Sequence, residues 1–133
     1  MKAFHIEIVT PDGPAYIGEV ESLLVRTDDG DVEILAGHAD YLSAIGTGRA
    51  RLIINGQNRY ASANGGFLSV TGGKVRLCAI TFEFADEIDL IRAKRAKEKA
   101  EAALKSASDR REELIAKAKL ARAASRIHVA SMK

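Results

Sequence analysis

The sequence has few of the residues that mark several common protein classes. Its 133 residues include one cysteine, two prolines and no tryptophan. Because Cys78 stands alone, no disulfide framework or CxxC metal or redox motif is available, and a structural thiol is its expected role. No run reaches the ~18 apolar residues of a membrane span, and the start, MKAFHIEIVTPDG, has no signal-peptide core. The composition therefore predicts a cytosolic protein, or one bound to a cytosolic assembly.

The charges are distributed unevenly along the chain. Residues 1–85 hold 7 basic and 10 acidic residues, a balance of −3, whereas residues 86–133 hold 13 basic and 8 acidic residues, a balance of +5. Both prolines, the glycines and the seven aromatic residues (4 Phe and 3 Tyr) also lie before residue 86. We therefore expect two domains, residues 1–85 and residues 86–133.

The first domain shows the alternation of β-strands. Phe4, Ile6 and Ile8 alternate with polar residues, and TPDGP then provides a turn. Further strands are predicted around EVESLLVRT, GRARLIINGQNRYASANGGFLSV and KVRLCAITF. The NGQN segment suits the positive φ values of a primed hairpin turn. Short strands with closely spaced turns predict an antiparallel β-sandwich or barrel.

The second domain has the pattern of two helices. Asp86 is the predicted N-cap of the first helix, and no glycine or proline follows it. In SASD, Ser106 and Asp109 match a capping box, so a second helix is predicted to begin near Ser108. The sequence thus predicts an α+β protein, with an N-terminal antiparallel β-sandwich followed by a C-terminal antiparallel two-helix hairpin.

Alanines form a stripe along each predicted helix. The first stripe comprises Ala93, Ala96, Ala100, Ala103 and Leu104, and the second comprises Ala116, Leu120, Ala123 and Ile127. An alanine seam contributes less per contact than a leucine seam, so such a hairpin could detach and reattach. The alternative is a permanently packed helix pair with a solvated basic face.

Motifs of catalysis are incomplete in this sequence. TGGKV lacks the first glycine and the final Ser or Thr of a P-loop, and GTGRAR lacks the third glycine of a dinucleotide fingerprint. The three histidines, His5, His38 and His128, are too scattered for a short-range metal motif. We therefore expect no catalytic residue, no catalytic cofactor and no metal site.

Three segments, ILAGHADYLSAIGTGRARL, GGFLSV...KVRLCAI and ADEIDLIRAKRA, resemble the epsilon subunits of bacterial F-type ATP synthases. The resemblance covers essentially the whole chain, although Ala36 and Asp40 stand where the family often has proline. It implies a non-catalytic central-stalk subunit whose sandwich binds the gamma subunit and the c-ring. It also implies peripheral attachment to the cytoplasmic face of the bacterial membrane through the complex, and regulation of ATP hydrolysis by the hairpin.

The resemblance also implies a regulatory ATP site, because IDLIRA matches an ATP-binding motif of the family. The implied residues are Glu83, Ile88, Asp89, Arg92, Ala93, Arg122 and Arg126, with Mg²⁺ optional. Lys99 stands where an arginine is expected. If paired residue numbers sum to about 214 across the hairpin, Arg92 faces Arg122, Ile88 faces Arg126, and three guanidiniums converge near Asp89. The alternative is a local Asp89–Arg92 ion pair with solvated arginines.

Two further contacts are predicted. The loop with His38 and Tyr41 is a candidate for subunit contact. The alternative is that it only connects two strands. When the hairpin extends along gamma towards the alpha and beta subunits, its basic face could meet an acidic loop of the catalytic subunit. This basic face comprises Arg110, Arg111, Lys117, Lys119 and Arg122.

The sequence leaves two other functions open. A nucleic-acid-binding module would explain the basic tail, but the tail lacks stacking aromatic residues and the chain carries no recognised DNA or RNA signature. Specific nucleic-acid binding is therefore not expected. The other alternative is a small nucleotide-processing enzyme, which turnover of ATP by the purified protein would reveal.

Overall fold

A computed structural model describes residues 2–132 of the chain. Eight strands are followed by a short 3₁₀ turn and two α-helices. The strands are β1 (Phe4–Thr10), β2 (Gly13–Val20), β3 (Ser22–Thr27), β4 (Gly30–Ile34), β5 (Tyr41–Ala44), β6 (Thr47–Ile54), β7 (Gln57–Thr71) and β8 (Lys74–Phe84). The 3₁₀ turn spans Ala85–Glu87, and the helices are α1 (Leu90–Lys105) and α2 (Arg110–Ala130).

The eight strands form a β-sandwich whose hydrogen bonding is continuous. The strand order is β2-β1-β8-β7-β6-β3-β4, and β5 pairs with β7. Among the described strands, every pair is antiparallel except β1 and β8, which run parallel. The predicted β-sandwich, two-helix hairpin and α+β class are confirmed.

The turn residues adopt the backbone conformations that their sequence suggests. Asn55 and Gly56 join β6 to β7 with φ values of 52° and 78°. Two successive positive φ angles are the requirement of a type I′ hairpin turn, which asparagine and glycine meet at least cost. The hairpin predicted from NGQN is therefore confirmed.

The long strand β7 changes partner at a pair of glycines. It pairs with β6 over Gln57–Asn64 and with β5 over Phe67–Val70. Between these segments, Gly65 and Gly66 have φ values of 67° and 95°. A Cβ on Gly66 would lie 1.8 Å from the carbonyl oxygen of Cys78. Only glycine fits there without backbone movement, so this position is constrained by both conformation and space.

The inward-facing residues of the strands form one apolar core. Seven of the largest side chains have no exposed surface: Ile6, Ile8, Leu23, Ile34, Leu52, Leu68 and Leu77. Each except Leu23, which follows the buried Ser22, is flanked by less buried neighbours, as the period of two along a strand requires. The cluster of buried residues runs from Phe4 to Phe84 and includes no helical residue. The core of the sandwich is thus complete before the hairpin begins.

The first helix begins later than predicted. Asp86 lies in the 3₁₀ turn, and the N-cap is Asp89, whose Oδ1 accepts a hydrogen bond from the Arg92 N–H at 3.0 Å. Between them Ile88 is extended, with φ −76° and ψ 125°, and its side chain is buried. The backbone stays extended at Ile88 while its side chain is buried, so a continuous helix cannot run from Asp86. Helix α1 therefore starts only after Ile88.

The second helix begins at Arg110, and the predicted capping box does not form. Asp109 is the N-cap and accepts a hydrogen bond from the Glu112 N–H at 2.8 Å. The Ser106 hydroxyl instead donates to the Ala102 carbonyl at the end of α1. The backbone and hydroxyl of Ser108 donate to Glu112, and these hydrogen bonds hold the pKa of that carboxyl below its usual value.

Helix α2 packs on β6 and β7 of the sandwich, and α1 packs mainly on α2. The alanine seam is confirmed at Ala93, Ala100, Ala116 and Ala123, which are all buried, whereas Ala96 and Ala103 are exposed. Small side chains allow the two helices to approach closely, and they bury little apolar area in doing so. The interface between α1 and α2 is therefore thin and apolar.

Candidate functional site

A cavity of about 700 Å³ lies between part of the helical hairpin and the sandwich. Its walls come from three parts of the fold: the turn after β1, the outer faces of β7 and β8, and the facing sides of both helices. The lining residues that the site uses are Asp12, Ile80, Glu83, Arg92, Lys99, Lys119, Arg122 and Arg126. The space is comparable to that of an ordinary small-molecule site.

Positive charge predominates in this cavity. Five cationic side chains line it, Arg92 and Lys99 from α1 and Lys119, Arg122 and Arg126 from α2. Two carboxylates, those of Asp12 and Glu83, oppose them. The excess of three positive charges favours an anion, and guanidinium groups suit phosphate because they donate two parallel hydrogen bonds.

One of the five cations is paired with the sandwich. Arg126 donates to both oxygens of Glu83, Nε to Oε1 at 2.7 Å and Nη2 to Oε2 at 3.2 Å. The two side chains are 23% and 32% exposed, so water screens this pair only in part. Next to it, the hydroxyls of Ser62 and Ser125 lie 3.0 Å apart. These contacts connect α2 to β7 and β8.

The cavity contains four of the seven residues expected at the nucleotide site: Glu83, Arg92, Arg122 and Arg126. Lys99, expected as a replacement for arginine, lines it as well. Ile88, Asp89 and Ala93 do not line it. Ala93 is in the interhelical seam with no exposed surface, and the Asp89 carboxylate caps α1. The predicted convergence of three guanidiniums on Asp89 is therefore wrong, and the carboxylate bound by Arg126 is Glu83.

The predicted facing of Ile88 and Arg126 is also wrong. Ile88 packs with Ala85, Val129, Ala130 and the partly buried Tyr60. Because Ile88 lies in an extended segment before α1, the helical pairing rule does not reach it. This cluster, here called the hairpin base, buries the end of α2 against the segment where α1 leaves the sandwich.

The predicted basic face does not form a single free surface. Glu113 binds two of its members, Lys117 at 2.8 Å and Arg110 at 3.3 Å. Lys119 and Arg122 line the cavity instead. Arg111 is exposed. In the folded hairpin, two of the five basic residues thus face the sandwich.

The loop predicted for subunit contact lies on the sandwich away from the cavity. His38 and Tyr41 contact each other edge to face, with ring centroids 5.9 Å apart. Tyr41 packs partly against the core, whereas Leu42 and Phe67 lie on the opposite face of β5 and β7 and are exposed, at 73% and 45%. Neighbouring exposed apolar side chains on one face of a sheet are typical of a contact surface.

Sequence reasoning missed Thr10, Asp12 and Lys119 as members of the cavity. Thr10 and Asp12 are far from the helices along the chain, and only the parallel pairing of β1 with β8 brings their turn to this wall. Lys119 was assigned to the basic face alone. Its position one turn from Arg122 and Ala123 on α2 was the available signal, because residues three and four apart share a helix face.

Among residues 2–132, no helix combines the length and apolar character of a membrane-spanning segment. Within the same residues, no group of three or more His, Cys, Asp and Glu side chains is arranged to hold a metal ion.

Two family models match adjacent parts of the chain. The model described as the beta-sandwich domain of the ATP synthase delta/epsilon chain matches residues 3–85. The model described as the long alpha-helix domain of the same chain matches residues 86–131.

Similar proteins include three bacterial ATP synthase epsilon chains. The protein from Bacillus velezensis is 40% identical over 130 residues, which cover 98% of both chains. The protein from Priestia megaterium is 40% identical over 109 residues, covering 82% of this chain and 81% of the relative. The protein from Bacillus pumilus is 38% identical over 133 residues, covering 98% of both.

Two solved structures contain chains with a similar fold. A chain of the Euglena gracilis mitochondrial ATP synthase, solved with OSCP, F1 and the c-ring, has a TM-score of 0.82 and 21% identity, covering 98% of this chain and 82% of that one. A chain of the Tetrahymena thermophila mitochondrial ATP synthase central stalk and c-ring has a TM-score of 0.64 and 12% identity, with coverage of 98% and 96%. At these identities the similarity shows the shared fold.

Proposed function

Because the chain belongs to the ATP synthase delta/epsilon chain family, we propose that it is a non-catalytic central-stalk subunit whose hairpin regulates ATP hydrolysis in response to ATP. The sandwich, residues 1–85, binds the gamma subunit and the c-ring and so links the catalytic head to proton or sodium ion transport. The hairpin, residues 86–133, is the regulatory part. The protein lies at the cytoplasmic face of the bacterial membrane as a peripheral subunit, attached through the complex.

The exposed apolar surface of the sandwich supports the binding of the stalk and ring. Leu42 and Phe67 offer an exposed apolar patch on one face of β5 and β7, and the His38–Tyr41 contact lies at the start of β5. A partner there leaves the hairpin free to move. The sandwich core does not use the helices, so the subunit stays attached when the hairpin is released.

The cationic cavity is the observation that carries the proposal of ATP binding. Arg92, Arg122 and Arg126 hold phosphate oxygens, while Lys99 and Lys119 add charge. Mg²⁺ is optional, because the five cations of the cavity can neutralise the phosphates. Glu83 is bound by Arg126, so this carboxylate is not free to act as a general base. The cavity therefore favours binding ATP over hydrolysing it.

Regulation follows from the use of the same cations in two states. Lys119 and Arg122 line the cavity when the hairpin is folded. In the extended hairpin, they join Arg110, Arg111 and Lys117 as the inhibitory face that meets an acidic loop among the alpha and beta subunits. A nucleotide in the cavity stabilises the folded state by mass action and withdraws these two cations. High ATP therefore relieves the brake, and low ATP favours it.

Calorimetry with ATP at millimolar concentration tests the ATP site. The purified protein should bind ATP, and Arg122→Ala should weaken the binding at least tenfold. Lys117→Ala is the matched control, because Lys117 is on the same helix but pairs with Glu113 outside the cavity. Absence of heat, or equal affinity of the wild type and the Arg122 variant, would contradict the site.

Deletion of residues 86–133 tests the regulatory role. Reconstituted ATP synthase should hydrolyse ATP faster with the truncated subunit, and also when the five basic residues of the inhibitory face become alanine. The truncated subunit should still copurify with gamma, which controls for loss of assembly. Unchanged hydrolysis in both variants would contradict the brake.

A further inference from the structure

The 3₁₀ turn that follows β8 is fastened to the sandwich. The guanidinium of Arg59, on β7, lies over the Phe84 ring, with Cζ 3.6 Å from the ring centroid, and its Nη2 lies 3.8 Å from Asp86 Oδ1. The Glu87 carboxylate accepts a hydrogen bond from the Phe84 N–H at 3.0 Å. A cation over an aromatic face is attracted to it, so these contacts together hold the turn to the sheet. By its contacts, the turn belongs with the sandwich.

Two residues with extended backbone separate this turn from α1. Ile88 has φ −76° and ψ 125°, and Asp89 has φ −79° and ψ 99°. The hydrogen bonds of α1 begin beyond Ile88, with the Ala93 N–H donating to the Asp89 carbonyl at 3.0 Å. Because the turn before them is held to the sheet and the helix after them is bonded internally, a change in direction of the hairpin is concentrated at these two residues.

The hairpin base lies directly against this segment. Ile88 belongs to it together with Val129 and Ala130, from the last turn of α2, and with the partly buried Tyr60 of β7. Ile88 is 6% exposed, and Val129 has no exposed surface. Of the two clusters of buried apolar residues in the described part of the chain, the hairpin base is the one that includes helical residues. Burial of apolar surface therefore joins the helices to the sandwich at this point.

Two further contacts between α2 and the strands are polar. The ion pair of Arg126 with Glu83 is partly exposed, and the Ser62 and Ser125 hydroxyls share one hydrogen bond. Water replaces hydrogen bonds of this kind when an interface opens, so their net contribution is modest. Opening the hairpin base instead returns apolar surface to water without a compensating contact. The free energy of release is therefore concentrated in the hairpin base.

We infer that the hairpin base controls release of the hairpin, with Ile88 and Asp89 as the hinge. It joins the point where the chain leaves the sheet to the end of α2, so α2 leaves the sandwich only when Ile88 and Val129 separate. In the assembled enzyme, a weaker hairpin base favours the extended, inhibitory hairpin. This effect on the enzyme rests on the proposed regulatory function, whereas control of release is a property of the subunit itself.

Amide hydrogen exchange in α2 of the full-length subunit, without nucleotide, tests the control of release. Val129→Ala should accelerate exchange about tenfold, because two buried carbon atoms are lost. Tyr60→Ala should accelerate it from the sandwich side. Leu114→Ala is the control, since Leu114 is on the same helix and 50% exposed, and it should leave exchange unchanged. Thermal unfolding verifies that the sandwich of each variant is folded. Exchange at the wild-type rate in the Val129 or the Tyr60 variant would overturn the inference.

ATP hydrolysis by reconstituted enzyme tests the effect on regulation. Both variants should hydrolyse ATP more slowly than the wild type, and the ATP concentration that relieves half of the inhibition should rise about tenfold. Neither Val129 nor Tyr60 lines the cationic cavity. Tyr60 also stays on β7 in both states of the hairpin, so slow hydrolysis in its variant cannot come from altered contacts of the extended α2. Deletion of residues 86–133 should have the opposite effect.

The outcomes separate this inference from the proposal beneath it. If exchange accelerates but neither the two variants nor the truncated subunit changes hydrolysis, the proposed regulatory function fails, and control of release by the hairpin base is supported. If truncation speeds hydrolysis while both variants, with accelerated exchange, match the wild type, the inferred effect of the hairpin base on the enzyme is overturned.

Discussion

The guanidinium of Arg126 donates hydrogen bonds to both carboxylate oxygens of Glu83, joining the second helix to the last strand of the sandwich. We expect Glu83→Gln to weaken attachment of the hairpin by about 1 kcal/mol, because a partly exposed, bidentate ion pair is lost. Amide hydrogen exchange in α2, measured without nucleotide, should accelerate about fivefold.

A second ion pair provides the control for that experiment. Arg76 donates to Glu7 at 2.9 Å on the surface of the sandwich, at the opposite end of β8 from Glu83. Glu7→Gln should leave exchange in α2 unchanged. Equal exchange in the Glu83 and Glu7 variants would mean that the Arg126–Glu83 pair does not hold the hairpin.

The sandwich should fold without the hairpin. Its buried cluster lies between Phe4 and Phe84, and the hairpin base is a separate cluster. A fragment of residues 1–85 should therefore show a cooperative thermal transition and copurify with gamma. A fragment without such a transition would contradict the division at residue 85.

The glycine where β7 changes partner should be among the least replaceable residues. Gly66→Ala should destabilise the protein by about 3 kcal/mol or more, because the new Cβ would overlap the Cys78 carbonyl. Gly56→Ala is the control, since Gly56 also has a positive φ, 78°, but an added Cβ there meets open space. It should cost about 1 kcal/mol. Equal losses in chemical denaturation would show that conformation alone, and not space, constrains Gly66.

Lys99 offers a gain-of-affinity test of the cavity. Lys99→Arg should tighten ATP binding about threefold, because a planar fork donates to phosphate from two nitrogens. Lys97→Arg is the control on the same helix, as Lys97 is exposed and outside the cavity. Calorimetry that finds both variants equal to the wild type would remove Lys99 from the phosphate contacts.

The features that the sequence predicted well are local ones. Alternation from Phe4 to Ile8, the Asn55–Gly56 turn and the alanine seam each depend on neighbours within a few residues, so periodicity and turn chemistry reveal them. The start of α1 was misplaced because Ile88 is buried by Tyr60 and Val129, which are distant along the chain. A local capping rule applied to Asp86 contains no information about that contact.

In the candidate site, too, the sequence predicted only what depends on neighbours along one element. Arg122 and Arg126 are one helical turn apart, so their common face follows from helix geometry. The partner of Arg126 and the presence of Asp12 depend on how α2 sits on the sheet and how β1 pairs with β8. Neither is encoded in the spacing of residues along one element.

The central claim is that the hairpin restrains hydrolysis only when it leaves the sandwich, and a reversible lock can test this. The Ser62 and Ser125 hydroxyls lie 3.0 Å apart across the interface between β7 and α2. Cysteines at both positions, in a chain whose half-buried Cys78 is replaced by serine, should form a disulfide that holds the hairpin folded. The two single-cysteine chains are the controls.

The decisive measurement is the ATP hydrolysis rate of reconstituted enzyme at low ATP, with the double-cysteine subunit first oxidised and then reduced. The account predicts rapid hydrolysis when the disulfide is formed and slow hydrolysis after reduction, with the single-cysteine controls slow in both conditions. Equal rates for the oxidised and reduced double-cysteine enzyme, with disulfide formation verified, would contradict it.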